Sequence, residues 1–238
     1  MLSRGIPDQE RESCANIVVQ IFLPIYGQGV ADDDPTRAGS RETPAGSAER
    51  ITDLDALKVF THPLRIRLYR ALFTARAATA SHLADQVDEA VSLVSYHLRK
   101  MAAHGFIEQA PDIGADGRER WWKVSSERGF SYRTADFADR PEGVAVLSQV
   151  TRQLLATRAE RYEQFLDQQA AWPPEWTNAS FSSEYMPLLT AAELQEMAEE
   201  LGQLIQRWSE RGRSAERAGD TAGREHVSVQ MYGFPFRP

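Results

Sequence analysis

Apolar side chains recur at helical spacing in two stretches of the chain and at strand spacing between them, and two long gaps hold almost none. Leu54, Leu57 and Phe60 fit a short helix that Thr52 can cap. Leu64, Leu68 and Leu72, at i, i+4 and i+8, fit a second helix opened by Pro63. The two meet at Thr61-His62-Pro63. Thr79 can cap a third helix through Leu83 and Val87, and after a very short connection a fourth runs from about Val91 to His104, where Gly105 stops it. Beyond Gly105 the period shortens to two. Phe106-Ile107-Glu108-Gln109 and Arg120-Trp121-Trp122-Lys123-Val124 flank a turn segment holding Gly114 and Asp116-Gly117, which predicts a hairpin. Trp121 and Trp122 then fall on opposite faces, so one packs on the core and the other points outward.

Downstream, Val144, Leu147, Leu154, Leu155, Tyr162, Phe165 and Leu166 lie near one stripe of a long helix from Pro141 to about Gln169. Thr190 and Glu193 form a capping box for another, with Leu194, Met197, Leu201, Leu204, Ile205 and Trp208 at helical spacing. Each stripe needs a partner. From Gly27 to Ala48 the only apolar side chain larger than alanine is Val30, and from Arg211 to His226 there is none. Such stretches bury too little to offset their ordering entropy. The first gap predicts disorder, with Ile17 to Ile25 as a short sticky element before it. The second predicts a flexible loop before a closing strand at Val227, Val229 and Met231.

The expected division is a weakly ordered extension over 1–49, a winged helix-turn-helix domain over 50–125, and a helical dimerisation and effector region over 126–238 with a loop at 211–226. Charge follows it. The extension carries 4 Lys/Arg against 8 Asp/Glu, residues 50–125 carry 11 against 9, and residues 126–238 carry 12 against 17. Only the middle of a chain of net charge −7 is positive, so that is where a polyanion docks. Across 238 residues no apolar run reaches the ~18 of a membrane span. The acidic flanks of Ile17 to Ile25, and Gln20 within it, argue against a signal peptide. One cysteine, Cys14, excludes a disulfide framework within one chain and fits a reducing, cytoplasmic setting.

With Val94, Leu98 and Met101 turned into a core, the opposite face of the fourth helix shows Ser92, Ser95, Tyr96, Arg99 and Lys100, and no carboxylate. Hydroxyls approach base edges or phosphates, tyrosine can touch a thymine methyl, and arginine can read guanine or clamp phosphate. Taken alone, such a face also suits a solvated bundle helix.

Four strings stand in order here: His62-Pro63-Leu64-Arg65-Ile66-Arg67-Leu68, Leu83-Ala84, Val94-Ser95-Tyr96-His97-Leu98-Arg99-Lys100-Met101, and His104-Gly105-Phe106-Ile107. Together they resemble the ArsR superfamily of bacterial transcriptional regulators, over about a third of the chain. The resemblance implies a mainly α fold with a small β-hairpin wing. It implies that Ser92, Ser95 and Tyr96 lie deepest in the major groove with Arg99 and Lys100 at its walls. Arg118 and Arg120 would sit at the wing, where Asp112, Asp116 and Glu119 dilute their charge to one or two phosphate contacts.

The chain departs from the superfamily's metal sensors. Thr79 to Val87 contains no cysteine, and Pro141 to Gln169 contains neither His nor Cys, so no metal or other cofactor is expected. The Gly-rich phosphate loop, G-x-S-x-G and H-E-x-x-H are all absent, which argues against an enzyme. Trp172, Trp176, Phe181, Tyr185, Tyr232, Phe234 and Phe236 cluster around prolines and suit either a cover for the long helices or a pocket for a small apolar effector. The sequence thus predicts a repressor that binds double-stranded DNA at a pseudo-palindromic operator as a homodimer held chiefly by the Pro141 to Gln169 helix. Its competitor is a winged-helix protein-interaction module with an acidic C-terminal surface.

Overall fold

The computed structural model describes residues 18–20, 49–111, 119–127 and 129–237. These fall into two units, 18–20 with 49–157, and 158–237.

The first unit is a winged helix-turn-helix built as the periodicity predicts. Helix α1 (Leu54–Lys58) is capped by Asp53, whose carboxylate accepts from the Ala56 amide at 3.0 Å. The expected cap was Thr52, one residue earlier. Helix α2 (Pro63–Ala75) is capped by His62, whose Nδ1 accepts from the Leu64 amide at 3.2 Å, with Pro63 in the first turn where its missing N–H costs nothing. Thr79 caps α3 (Ala80–Val87) through the His82 amide, and Asp88, left-handed at φ 52°, turns the chain into α4 (Val91–Ala103). Gly105, at φ 76°, ends that helix in backbone space that favours glycine.

The wing is a three-stranded sheet. Strand β5 (Trp121–Val124) lies between β3 (Ala77–Thr79) and β4 (Ile107–Gln109), antiparallel to both, with Ile107 opposite Val124 and Ala78 opposite Trp122. Trp122 is buried and Trp121 half-buried, its ring 5.6 Å from that of His82.

A second sheet was not foreseen. Strand β6 (Phe130–Arg133) pairs antiparallel with β1 (Val18–Gln20) and parallel with β2 (Glu49–Arg50). Part of the Ile17 to Ile25 run therefore forms a strand, and the rest of residues 1–48 lies outside the described residues.

Helix α5 (Pro141–Asp167) corrects one expectation. Its Val146, Leu147, Val150 and Leu154 join the core of α2, α3, α4 and the wing, beside Leu64, Leu68, Leu72, Phe106 and Phe130. Leu147 and Leu154, expected to hold a second copy, are therefore occupied inside their own chain. Lys58 to Glu142 at 2.7 Å ties α5 to α1, and Arg70 Nη1 donating to the Thr157 carbonyl at 3.4 Å ties it to α2.

In the second unit, residues 158–237, the later part of α5 is followed by α6 (Pro174–Ala179) and α7 (Ala191–Arg217). The Thr190 and Glu193 capping box forms as expected. The loop expected over 211–226 is helix as far as Arg217, because alanine, arginine and glutamate favour helix and Glu210 pairs with both Arg213 and Arg217. Val227 to Met231 forms no strand, since no ladder partner lies beside it among the described residues.

Gly143 sets how closely α5 approaches the turn before it. A Cβ there would stand 2.3 Å from the Phe137 carbonyl oxygen, a backbone atom with little freedom to yield. Gly143→Ala should therefore destabilise the chain by about 1–3 kcal/mol, read as a lower midpoint in urea. An unchanged midpoint would mean that this contact relaxes freely.

Candidate nucleic-acid interface

Helix α4 presents the candidate residues because its other side is buried. Val94, His97, Leu98 and Met101 point into the core, which leaves Ser92, Tyr96, Arg99 and Lys100 exposed and Ser95 half-buried. No residue of α4 is acidic. The Lys100 ammonium lies 5.9 Å from the centre of the Tyr96 ring, so the tyrosine is braced on the helix surface. At the start of α4 the cap residue is Ala90, which offers no side-chain acceptor, so the first-turn amides stay open to an external anion.

Ser95 and Arg99 also face a cleft of about 260 Å³ between the start of α3, α4 and β5, lined besides by Thr79, Ala80, Ser81, Glu119, Arg120 and Trp122. The structure thus gathers Ser95, Arg99 and Arg120 in one place and leaves Ser92, Tyr96 and Lys100 on the open face. Arg118 lies outside the described residues. Ser81 is an addition to the sequence-derived set, and its hydroxyl donates to the Glu119 carboxylate at 3.3 Å. Its position in the first turn of a Thr-capped helix was the available signal.

Two arginines of α2 fix the orientation of the helix-turn-helix. Arg67 pairs with Glu89 at 3.0 Å and donates to the Val87 carbonyl at 3.3 Å, holding the α3–α4 turn from outside. Arg65 donates to His97 Nδ1 at 3.2 Å and to the Val59 carbonyl at 3.1 Å, joining the chain before α2 to the buried side of α4. The His97 ring lies 4.4 Å from that of His62.

Both imidazoles titrate below their ordinary range. Burial is the main cause for each; for His97 the His62 ring and then Arg65 add to it, and for His62 the Arg65 charge does. Each Nδ1 accepts a hydrogen bond, which a proton on that atom would abolish.

The sequence model of a helix-turn-helix domain family matches residues 60–110, which run from the turn before α2 through β4. The match leaves β5, β6, α5 and the whole second unit outside it. No curated protein matches the chain. Among the described residues no helix is long and apolar enough to cross a membrane.

The histidines predict a pH dependence of fixed sign. The folded state holds them neutral below the ordinary value of 6.5, so between that value and the folded one the unfolded chain binds more protons. Stability should therefore fall as pH drops from 7.5 to 5. His97→Asn keeps an acceptor for Arg65 and cannot titrate. Urea titrations at both pH values should show a smaller loss for this variant, and an equal loss would assign the dependence to other groups.

Proposed function

We propose that the protein is a transcriptional regulator of the ArsR type that binds double-stranded DNA, acting as a homodimeric repressor at a pseudo-palindromic operator. The observation that carries this reading is the carboxylate-free face of α4, which runs from Ser92 in the first turn of an uncapped helix through Ser95 and Tyr96 to Arg99 and Lys100, in an otherwise acidic chain. Seated in a major groove, Ser92, Ser95 and Tyr96 reach base edges, and Arg99 and Lys100 reach the phosphates on either side. Arg120 approaches the backbone from the wing, and Arg118 belongs to the same segment. The two-fold symmetry of a homodimer matches that of a palindrome, so both half-sites are read at once.

Footprinting on a genome-selected operator, repeated over a range of salt, tests the assignment residue by residue. Lys100→Ala should weaken binding to all sequences and reduce the salt slope by about one, because one phosphate contact is lost. Tyr96→Ala should change base preference at one position by about 1–3 kcal/mol. An unchanged slope for Lys100→Ala removes its phosphate role. A chain that protects no operator supports a protein-interaction module instead.

Glu119 opposes the polyanion. Its carboxylate stands beside Ser81 in the cleft that Arg99 and Arg120 line. Glu119→Gln should therefore tighten operator binding severalfold at low salt, with the gain shrinking as salt rises. Equal affinity at low salt would show that the wing keeps this carboxylate away from phosphate.

A further inference from the structure

We propose that the exposed side of α7 is a self-complementary docking surface for the α7 of a second copy of this chain. The two helices lie antiparallel about a two-fold axis that passes between Gln203 and Leu204. This rests on the homodimer of the proposed function and deepens it, by moving the contact away from the buried residues of α5.

Three features of α7 point to this occupant. The first is an uncovered apolar strip at the centre of the helix. Leu204 and Trp208 are 39% and 60% exposed, and a groove of about 380 Å³ there is lined by Met197, Glu200, Leu201, Gln203, Leu204 and Arg207. Residues three and four apart share one side of a helix, so Met197, Leu201, Leu204 and Trp208 form a single strip.

The second is the order of charge along that side. Glu196 and Glu200 lie before the midpoint of α7, and Arg207 and Arg211 lie after it at matching intervals. In an antiparallel pair Glu200 of one copy faces Arg207 of the other, and Glu196 faces Arg211, on both sides of the axis. A parallel pair would set glutamate against glutamate and arginine against arginine. Antiparallel packing also opposes the two helix dipoles. A helix of 27 residues spans about 40 Å, long enough for a seam of several turns.

The third is which charges already have partners. On the other side of α7, Glu210 binds Arg213 and Arg217, and Gln195 donates to Glu199. Among the described residues Glu196, Glu200, Arg207 and Arg211 form no ion pair; Arg211 lies 5.2 Å from the centre of the Trp208 ring. The charges left unpaired are those that a two-fold mate would pair, and the interface is isologous as closed dimers require.

The test uses the full-length chain. Sedimentation should give a dimer for the native protein and half that mass for Glu196→Arg with Glu200→Arg, and likewise for Arg207→Glu with Arg211→Glu. Circular dichroism should show unchanged helix in both. An equimolar mixture of the two variants should recover the dimer, as should one chain carrying all four changes. Orientation is read by disulfide formation in a Cys14→Ser background. Glu196→Cys mixed with Arg211→Cys should give a linked dimer, and neither should link alone.

A native monomer, charge-reversed chains that remain dimers, a mixture that stays monomeric, or linkage of Glu196→Cys with itself would each overturn the proposal. The DNA reading is judged separately. A charge-reversed chain that still protects a single half-site keeps it, whereas a native dimer that protects no operator removes it and leaves the α7 contact standing.

Discussion

The burial of one side of α4 is the constraint on which the rest of the first unit depends. Val94, Leu98 and Met101 each contribute roughly 1.5–3 kcal/mol by leaving water, and together they fix the rotation of the helix about its own axis. Turning α4 by one residue, about 100°, would expose these side chains and bury Ser95 or Arg99 without compensation. The exposed face therefore has little freedom of its own. Its composition is set by whatever lies between the buried positions, and its direction is set by the core. Arg65 reinforces this from α2, since its bond to His97 reaches the buried side of α4 and leaves the exposed side unoccupied.

Where the sequence predicted well, a local rule and the tertiary structure agreed. Pro63 opening α2, Thr79 capping α3, Gly105 ending α4 and the Thr190 capping box are decided within a few residues. So is the face of α4, because Val94, Leu98 and Met101 share one helical period, although Leu93 falls outside it and stays exposed. Asp53 displaced Thr52 as the first cap because either side chain can accept from a first-turn amide, and the choice depends on how the chain leaves Ile51, which is buried. The second sheet was not legible. Strands β1, β2 and β6 are two to four residues long, and β1 stands more than a hundred residues from the strand it joins.

The stripe expected on α5 was legible only in part: Leu147 and Leu154 are buried with Val146 and Val150 inside the chain, while Val144, Leu155, Tyr162 and Leu166 of the same stripe stay exposed. Periodicity shows that a face must be covered, and it carries no information about which surface covers it. Tyr132, on the unforeseen β6, shows what was missing: its hydroxyl meets that of Thr151 on α5 at 3.2 Å. The candidate site divides the same way. Ser92, Ser95, Tyr96, Arg99 and Lys100 follow from one helix, whereas the contact of Ser81 with Glu119 requires that α3 and β5 already be placed side by side.

The second unit obeys a different balance. Among the described residues from 158 onward the buried hydrophobic set holds only Ala215, while Phe181, Tyr185, Trp208, Phe234 and Phe236 are each more than half exposed. Helix α7 keeps its form by local means, through its capping box, its alanines and the pairs around Glu210. These terms are small, roughly 0.2–0.5 kcal/mol for each pair, and they act along the helix without ordering anything across it. Apolar area on this scale marks contact surface in soluble proteins. On α7 the exposed Leu204 lies between Glu200 and Arg207, and Trp208 between Arg207 and Arg211, charges that form no ion pair among the described residues, an arrangement that water alone does not require. A surface meant only to stay hydrated has no use for Leu204 and Trp208 at its middle or for opposite charges sorted to its ends, whereas a two-fold mate uses both.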